Sequence, residues 1–327
     1  MRLSEAYRGY RDSTLPGLQG LSETARASEF AVFLQRGLKT DMLNAYQEFI
    51  GPVERLLKRV SSAGAFETWP KIGALDTIDE RMASGEFVHV GFNSEDVSLV
   101  NIEYGGMLSI DRYLIDTDQT NKIKAQATKM GESAARKKDT TTYGLFNNGA
   151  TTDTYDAVFL FAAVGAAHPC VTGGSADTAN TNSLALGGLS EANWETMLTT
   201  VNGWKGIYGE YLMPKVTACV TGNTSWFTAQ RLFGDPVRVP AAATTYGHAK
   251  NIFNGTAEVI HHPRLTAASW YAKTSIDGFL LQVLTALEMT QEADNAGLSF
   301  QTRTYNWRVY EAYKIGAIEW RNYCKGN

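Results

Sequence analysis

The sequence predicts an α+β fold, with helices and strands in separate stretches and no alternating βαβ rhythm. Three observations point there. Residues 66–104 hold short extended runs punctuated by Trp69-Pro70, Gly73, Gly85 and Gly91, and both Glu86–Val90 and Val100–Tyr104 alternate. Residues 117–138 carry a narrow helical stripe of Ile123, Ala127, Met130 and Ala134. The second half mixes capped helices with strand-like runs.

Taken in order, residues 1–21 are polar, with Arg, Tyr, Gly and one Pro, and read as an extended arm without a core of its own. Ser22 can cap a helix through Ala25, Phe30, Phe33 and Leu34. A second helix is expected from Asp41, with Met42, Tyr46, Phe49 and Ile50 near one face. Gly51-Pro52 should kink or break it, and Val53–Val60 can resume it. Residues 66–104 read as a long β-hairpin or a loop between two strands, and an extended stretch of about forty residues is usually functional or bound to something. Leu108–Ile115 is a further strand.

The helix at 117–138, capped by Asp116 or Thr117, would be roughly 30 Å long. Its outer face carries Lys122, Lys124, Gln126, Lys129, Glu132 and Arg136, and Lys137 and Lys138 sit where the helix dipole favours cations. A stripe made largely of Ala buries little area, so this helix should lie across a surface and not inside a core. Asn147-Asn148-Gly149 is a turn, and 171–190 is a loop rich in Gly, Ser, Thr and Asn. Ser190 caps a helix with Trp194, Met197, Leu198 and Val201 on its apolar face. Lys215–Val220 reads as a strand and Asn223–Leu232 as a helix. Glu258–Ile260, Gly278–Leu284 and Phe300–Ala317 read as strand-rich.

The 327 residues suffice for about two domains and a large core without staples. A net charge of −4 argues against a dedicated reader of nucleic acid, though not against a container of it. Cys170, Cys219 and Cys324 are far apart with no CxxC pair, so neither a zinc ribbon nor a disulfide framework is signalled. The longest apolar stretch, Ala157–Ala167, has eleven residues, whereas a membrane span needs roughly 20. No apolar run follows the basic residues of the N-terminus, so it does not read as a secretory signal. These features point to a protein made and used in the cytoplasm. No internal repeat is visible.

No catalytic, cofactor-binding or metal-ligating set emerges. His168, Cys170, His261 and His262 could form a metal site or a Cys–His pair, but HExxH and GxSxG are absent. His168 reads better as part of a turn before Pro169, and His261-His262-Pro263 as the end of a strand. Asp153 and Asp156 read better as turn residues than as an acid–base pair. Gly203, Gly206 and Gly209 do not follow a strand as a dinucleotide loop requires.

Several local motifs resemble one family. Tyr155-Asp156-Ala-Val-Phe-Leu-Phe161, then His168-Pro169 and Gly173-Gly174, resembles the "DGxxLFxxxHPxxGG" pattern of tailed-bacteriophage major capsid proteins, and of Mu-like major head subunits in particular. Asn147-Asn148 precedes it, and Asn182 and Leu189-Ser190 follow it. Asn251–Gly255, Val259-Ile260, Pro263–Thr266 and Trp270-Tyr271 resemble the later "NxxxG…vV…PxLt…WY" stretch. Gly316–Arg321 resembles the closing "GaxdWR". The order agrees over roughly residues 65–327, with Ala157 standing where the family has Gly and about three residues inserted before His168.

The resemblance implies a Hong Kong 97-like capsid fold with an N-terminal arm, an extended β-hairpin loop, a long spine helix, and peripheral and axial domains. The implied division is arm and leading helices 1–65, extended loop 66–104, spine helix and peripheral domain 105–185, axial domain 186–295, and C-terminal peripheral strands 296–327. It implies a structural subunit, not an enzyme, that self-assembles as pentamers and hexamers around double-stranded DNA touched non-specifically. Portal and scaffold proteins would be its partners, and assembly would occur in the host cytoplasm. A nanocompartment shell enclosing an enzyme is the alternative. Candidate intersubunit residues are Trp69, Phe87, Val90, Lys122, Lys124, Arg136 and Lys137. The basic face from Lys122 to Lys138 should meet carboxylates of adjacent subunits, or phosphate loosely.

Overall fold

A computed structural model describes residues 23–72, 94–111, 113, 122–163, 166–169, 180–206, 209–237, 250–266, 268–292, 302 and 304–326. Its elements are α1 (Glu23–Glu54), β1 (Lys58–Ser61), β2 (Phe66–Ile72), β3 (Ser94–Val100), β4 (Ile102–Asp111) and α2 (Lys122–Asn147). There follow β5 (Ser183–Leu184), α3 (Glu191–Asn202), β6 (Val216–Thr221), α4 (Trp226–Gly234), β7 (Glu258–His261) and β8 (Trp270–Thr274). Then come β9 (Phe279–Gln291), β10 (Thr304–Ala317), a 3-10 turn at Trp320–Asn322 and β11 (Tyr323–Gly326).

Where the sequence predicts two helices and a break, α1 is one helix of 32 residues that runs through Gly51-Pro52. Ile50 and Val53 are buried on either side of the pair, and with Leu38, Met42 and Ala45 they form a continuous stripe. Burial on both sides outweighs the local helix cost of Gly and Pro. Phe49, expected inside, is exposed.

The helix α2 continues nine residues past its predicted end, to Asn147, and is about 39 Å long for 26 residues. The predicted start, 117–121, lies outside the described residues. The surface-lying helix expected from an Ala stripe holds only for the first half. There Ala127, Met130 and Ala134 face a satellite core of Ile110, Leu287, Met289, Trp307 and Val309, as the stripe predicts. In the second half, Tyr143 and Phe146 are fully buried in the main core, and Phe146 meets Tyr271 and Tyr323 edge-on at 5.0 and 4.8 Å. The two long helices touch backbone to backbone, since a Cβ on Gly131 would sit 2.1 Å from the Met42 carbonyl oxygen.

Two sheets organise the rest. The first runs β1-β9-β10-β4, with β1 parallel to β9 and the other pairs antiparallel, which leaves β4 on an edge. The second runs β5-β11-β8-β6-β7. The strand expected at Leu108–Ile115 begins instead at Ile102, because the whole of β4 pairs with β10. For the same reason β9 outruns its predicted end at Leu284: it pairs with β10 as far as Gln291. The hairpin is β2 with β3 in register Phe66↔Val100 to Ile72↔Ser94, so the expected 66–104 hairpin ends at Val100. The predicted strand at Glu86–Val90 lies outside the described residues. Among the described residues, no helix is long and apolar enough to cross a membrane.

Candidate shell-forming surfaces

Residues of three motifs far apart in the sequence meet in one buried knot. Asp156 accepts from Thr154 Oγ1 at 2.5 Å and from the Val158 N–H at 3.2 Å, and its Oδ2 shares a proton with His168 Nδ1 at 2.6 Å. The His168 ring stacks on Trp320 at 4.1 Å, and the Arg321 guanidinium lies over the same indole at 4.3 Å. Arg321 donates to Glu319 Oε1 and to the Lys205 carbonyl. Asn182 closes the knot: its amide donates to the carbonyls of Leu160, Trp320 and Tyr323 and accepts from the Ala162 N–H. Burial works against ionisation of Asp156, but the His168 bond and charge, with Thr154 and Val158, hold its carboxyl below the ordinary range.

The other motif residues have structural tasks as well. Asn147 accepts from Thr266 N–H and Oγ1 and donates to the Arg264 carbonyl, tying the end of α2 to the "PRLT" turn. Asn251 donates to the carbonyls of Leu232 and Asp235, both at 2.7 Å, and Gly255 takes a φ of 68°. Ala157, where the family has Gly, adopts a φ of 57°, a conformation that glycine takes without strain. His262 pairs with Asp139 at 3.1 Å and His261 with Asn223 at 2.9 Å, so each has a partner of its own. Cys170 lies outside the described residues. Among the described residues, no group of three or more His, Cys, Asp or Glu could hold a metal ion.

Lys138 corrects the expectation that the basic face meets carboxylates of adjacent subunits or phosphate, because its carboxylate partner is in its own chain. It is 3% exposed and forms an ion pair at 2.8 Å with Glu311, itself 2% exposed. Its ammonium donates to Tyr46 Oη and lies 4.5 Å from the Tyr313 ring centre. Glu311 stands on β10 two and four residues after Val309 and Trp307, so strand alternation places it on the face that packs against α2. Desolvation lowers the Lys138 pKa and raises that of Glu311, so burial pushes both toward neutrality; their mutual attraction opposes this, and at Lys138 the charge of Glu54 opposes it too. The sequence signal was available: Lys138 lies at i+4 and i+8 from Ala134 and Met130, on the same stripe.

The other candidates fall into three groups. Trp69 is half-buried, and its indole donates to Gln282 Oε1 at 2.9 Å, so its polar atom is used within its own chain. Gln282 also donates to the Leu99 carbonyl and to Asn101, and Leu99 packs against Gly316. The hairpin base is therefore anchored to its own sheet. Lys124 reaches Asp41 at 3.2 Å, Arg136 reaches Glu132 at 3.0 Å, and Lys137 lies 5.5 Å from the Tyr104 ring centre; all three remain exposed. Phe87, Val90 and the Lys122 side chain lie outside the described residues.

Sequence reasoning missed the exposed apolar residues beside them. Phe66 and Val100 are cross-strand partners, 63% and 59% exposed, and on the edge strand β4 Ile102 and Met107 are exposed on opposite faces. Nothing distinguishes such residues from core residues by type alone.

An α+β chain with an extended hairpin, an open strand edge and exposed apolar residues, whose motif residues serve its own packing, is a structural building block. The profile of the phage capsid protein family matches residues 99–326, and the chain belongs to that family, as a structural subunit of a phage head. No curated protein sequence matches it. Among solved structures it is similar to one of Mycobacterium phage Patience, at 12% identity and TM-score 0.52, covering 94% of this chain and 88% of that one. It is also similar to the capsid of a native GTA particle, at 10% identity and TM-score 0.53, covering 84% and 89%. A likeness to the bacteriophage JBD30 capsid, at 11% identity and TM-score 0.46, covers 82% of this chain but only 62% of that one. The fold is the Hong Kong 97-like fold expected from the sequence. These matches do not favour the nanocompartment alternative.

Proposed function

We propose that the chain assembles with copies of itself, as hexamers and pentamers, into the closed icosahedral shell of a phage head that encloses double-stranded DNA. The observation that carries this reading is the exposed apolar pair Phe66 and Val100 at the hairpin base, beside the edge strand β4 with its exposed Ile102 and Met107. Such surfaces are a liability in a monomer and an asset where neighbours cover them. The role is structural and not catalytic. The four-stranded sheet with α2 corresponds to a peripheral domain and the five-stranded sheet to an axial domain. On that division the segment 296–327 serves both, since β10 lies in the first sheet and β11 in the second. The order of motifs favours a Mu-like type.

The acidic net charge suits a container, because a strongly basic wall would grip the genome. Contact with DNA is therefore non-specific, with dissociation constants in the range of about 10⁻⁴–10⁻⁶ M at physiological salt. Portal and scaffold proteins are the further partners, and the host cytoplasm is the place of assembly. Electron microscopy and sedimentation of the purified protein test the reading. Closed shells, or hexamers and pentamers, are expected. A strict monomer at high concentration under every condition contradicts it.

A further inference from the structure

The sequence holds three Asn-Gly pairs: Asn148-Gly149, Asn202-Gly203 and Asn254-Gly255. Glycine has no Cβ to shield its amide nitrogen, so it is the least hindered neighbour that an asparagine side chain can have. The structure treats the three pairs differently. At the second, the Gly203 N–H donates to the carbonyls of Thr199 and Thr200, both at 3.1 Å. At the third, the Gly255 N–H donates to the Phe233 carbonyl at 2.8 Å, and the Asn254 amide donates to the Gly234 carbonyl at 3.3 Å. Both glycine nitrogens are therefore held by their protons.

Asn148, the first residue beyond α2, is arranged in the opposite way. Its side chain is exposed, and among the described residues neither its amide nor the Gly149 N–H makes a hydrogen bond. Its main-chain carbonyl oxygen instead accepts three: from the Thr151 N–H at 2.9 Å, from Thr151 Oγ1 at 3.0 Å and from Thr152 Oγ1 at 2.9 Å. That oxygen belongs to the same peptide group as the Gly149 nitrogen. When the Gly149 proton is removed, the negative charge spreads onto this oxygen, at which three donors already aim. Packing keeps glycine in place here, since a Cβ on Gly149 would lie 2.2 Å from the Phe161 ring.

We infer that Asn148 is a site of spontaneous deamidation, promoted by its own chain, that loosens the end of α2. Hydroxide takes the Gly149 proton, the nitrogen forms a bond to Asn148 Cγ, and the C–N bond of the side-chain amide breaks. The departing group leaves as ammonia after taking a proton from water, which restores the hydroxide. Water then opens the cyclic succinimide at either carbonyl, to aspartate or isoaspartate. Either product places a carboxylate at the C-terminal end of α2, where the helix dipole opposes it. Isoaspartate also lengthens the main chain by one methylene. The insertion falls between Asn147, which ties α2 to Thr266, and Gly149, whose carbonyl accepts the Phe161 N–H at 2.9 Å.

The test incubates the full chain at mildly alkaline pH and follows the three pairs over time by peptide mapping and mass spectrometry. Asn148 is expected to convert about tenfold faster than Asn202 or Asn254, the factor that one hydrogen bond on the attacking nitrogen would impose. Thr151→Val with Thr152→Val removes two of the three donors and should slow the reaction about threefold or more. Converted protein should melt about 1 °C or more below unconverted protein. Asn148→Gln, which must close a larger ring, should stay unmodified and keep its melting temperature. The ranking of the three pairs needs no variant, so it decides whatever the substitutions do to folding. An Asn148 that stays unmodified or is matched by either other pair overturns the inference. So does a rate indifferent to the two threonines, or converted protein that melts as unconverted protein does.

Discussion

The knot around Asp156 and His168 and the surface around Phe66 and Val100 use opposite physics. In the knot, His168 and Asn182 are fully buried, and carboxylate, imidazole, indole, guanidinium and amide groups of three segments meet, with His168 Nε2, Trp320 Nε1 and Arg321 Nε buried without a hydrogen-bond partner. At the hairpin base, an aromatic and a β-branched side chain face water side by side. The knot joins the 153–168 loop, the Asn182 region and the C-terminal turn, so each of its residues is irreplaceable in kind. The surface needs only to be apolar. That difference fits the place of the Asp156, His168 and Trp320-Arg321 motifs in the knot, while the surfaces proposed for assembly carry no motif.

The contrast can be broken most severely at the buried ion pair. Lys138→Met leaves Glu311 buried without its cation and should cost about 3–5 kcal/mol in a denaturant titration. The double change Lys138→Met with Glu311→Leu should recover most of that loss, since a well-packed apolar pair is often as stable as a buried ionic one. A mild single mutant would mean that the pair is solvated.

Next comes Asn182→Ala, which strands the Ala162 N–H and the carbonyls of Leu160, Trp320 and Tyr323. The expected loss is about 3 kcal/mol in the same titration, and a neutral outcome would remove the knot from the account of stability.

Asp156 adds a pH dependence. Its folded pKa lies below the unfolded one, so its contribution is fully present above the unfolded value and is lost as pH falls through the folded value. Asp156→Asn should therefore flatten the acid limb of a plot of melting temperature against pH. An unchanged acid limb would assign it to other carboxylates.

Ala157→Gly should do the reverse of damage. It relieves a positive φ, and after the entropy cost of glycine it should stabilise by about 0.5 kcal/mol. A destabilised variant would show that the Ala157 methyl has a packing role.

The smallest effect on folding is expected at the hairpin base. Phe66→Ser and Val100→Ser should change monomer stability by no more than about 0.5 kcal/mol and yet prevent assembly. A large loss of stability would make these residues core and not contact.

Much of this fold was legible in the sequence. The extended stretch from residue 66 was legible from its Pro and Gly punctuation, while of the two alternating runs 86–90 lies outside the described residues and 100–104 belongs mostly to β4; the stripe Ala127, Met130 and Ala134 was readable from spacing alone. The Ser190 cap was legible as well, and its side chain does accept from the Asn193 N–H. What local pattern could not give was set by distant contacts. The unbroken α1 depends on Ile50 and Val53 being buried on either side of Gly51-Pro52. The burial of Lys138 depends on an acid 173 residues away, on a strand that packs against the helix. The knot was quoted as motifs, but its meeting in space is invisible in the order of residues. Phe66 and Val100 were missed because an exposed apolar residue is of the same type as a buried one.

The most direct measurement is a cryo-electron microscopy reconstruction of the particle that the wild-type chain forms. The account predicts a closed shell in which a neighbouring copy covers Phe66 and Val100, while the Asp156–His168–Trp320 knot stays within one chain. A closed shell with Phe66 and Val100 open to solvent, or a knot completed by a neighbour's residues, would contradict it.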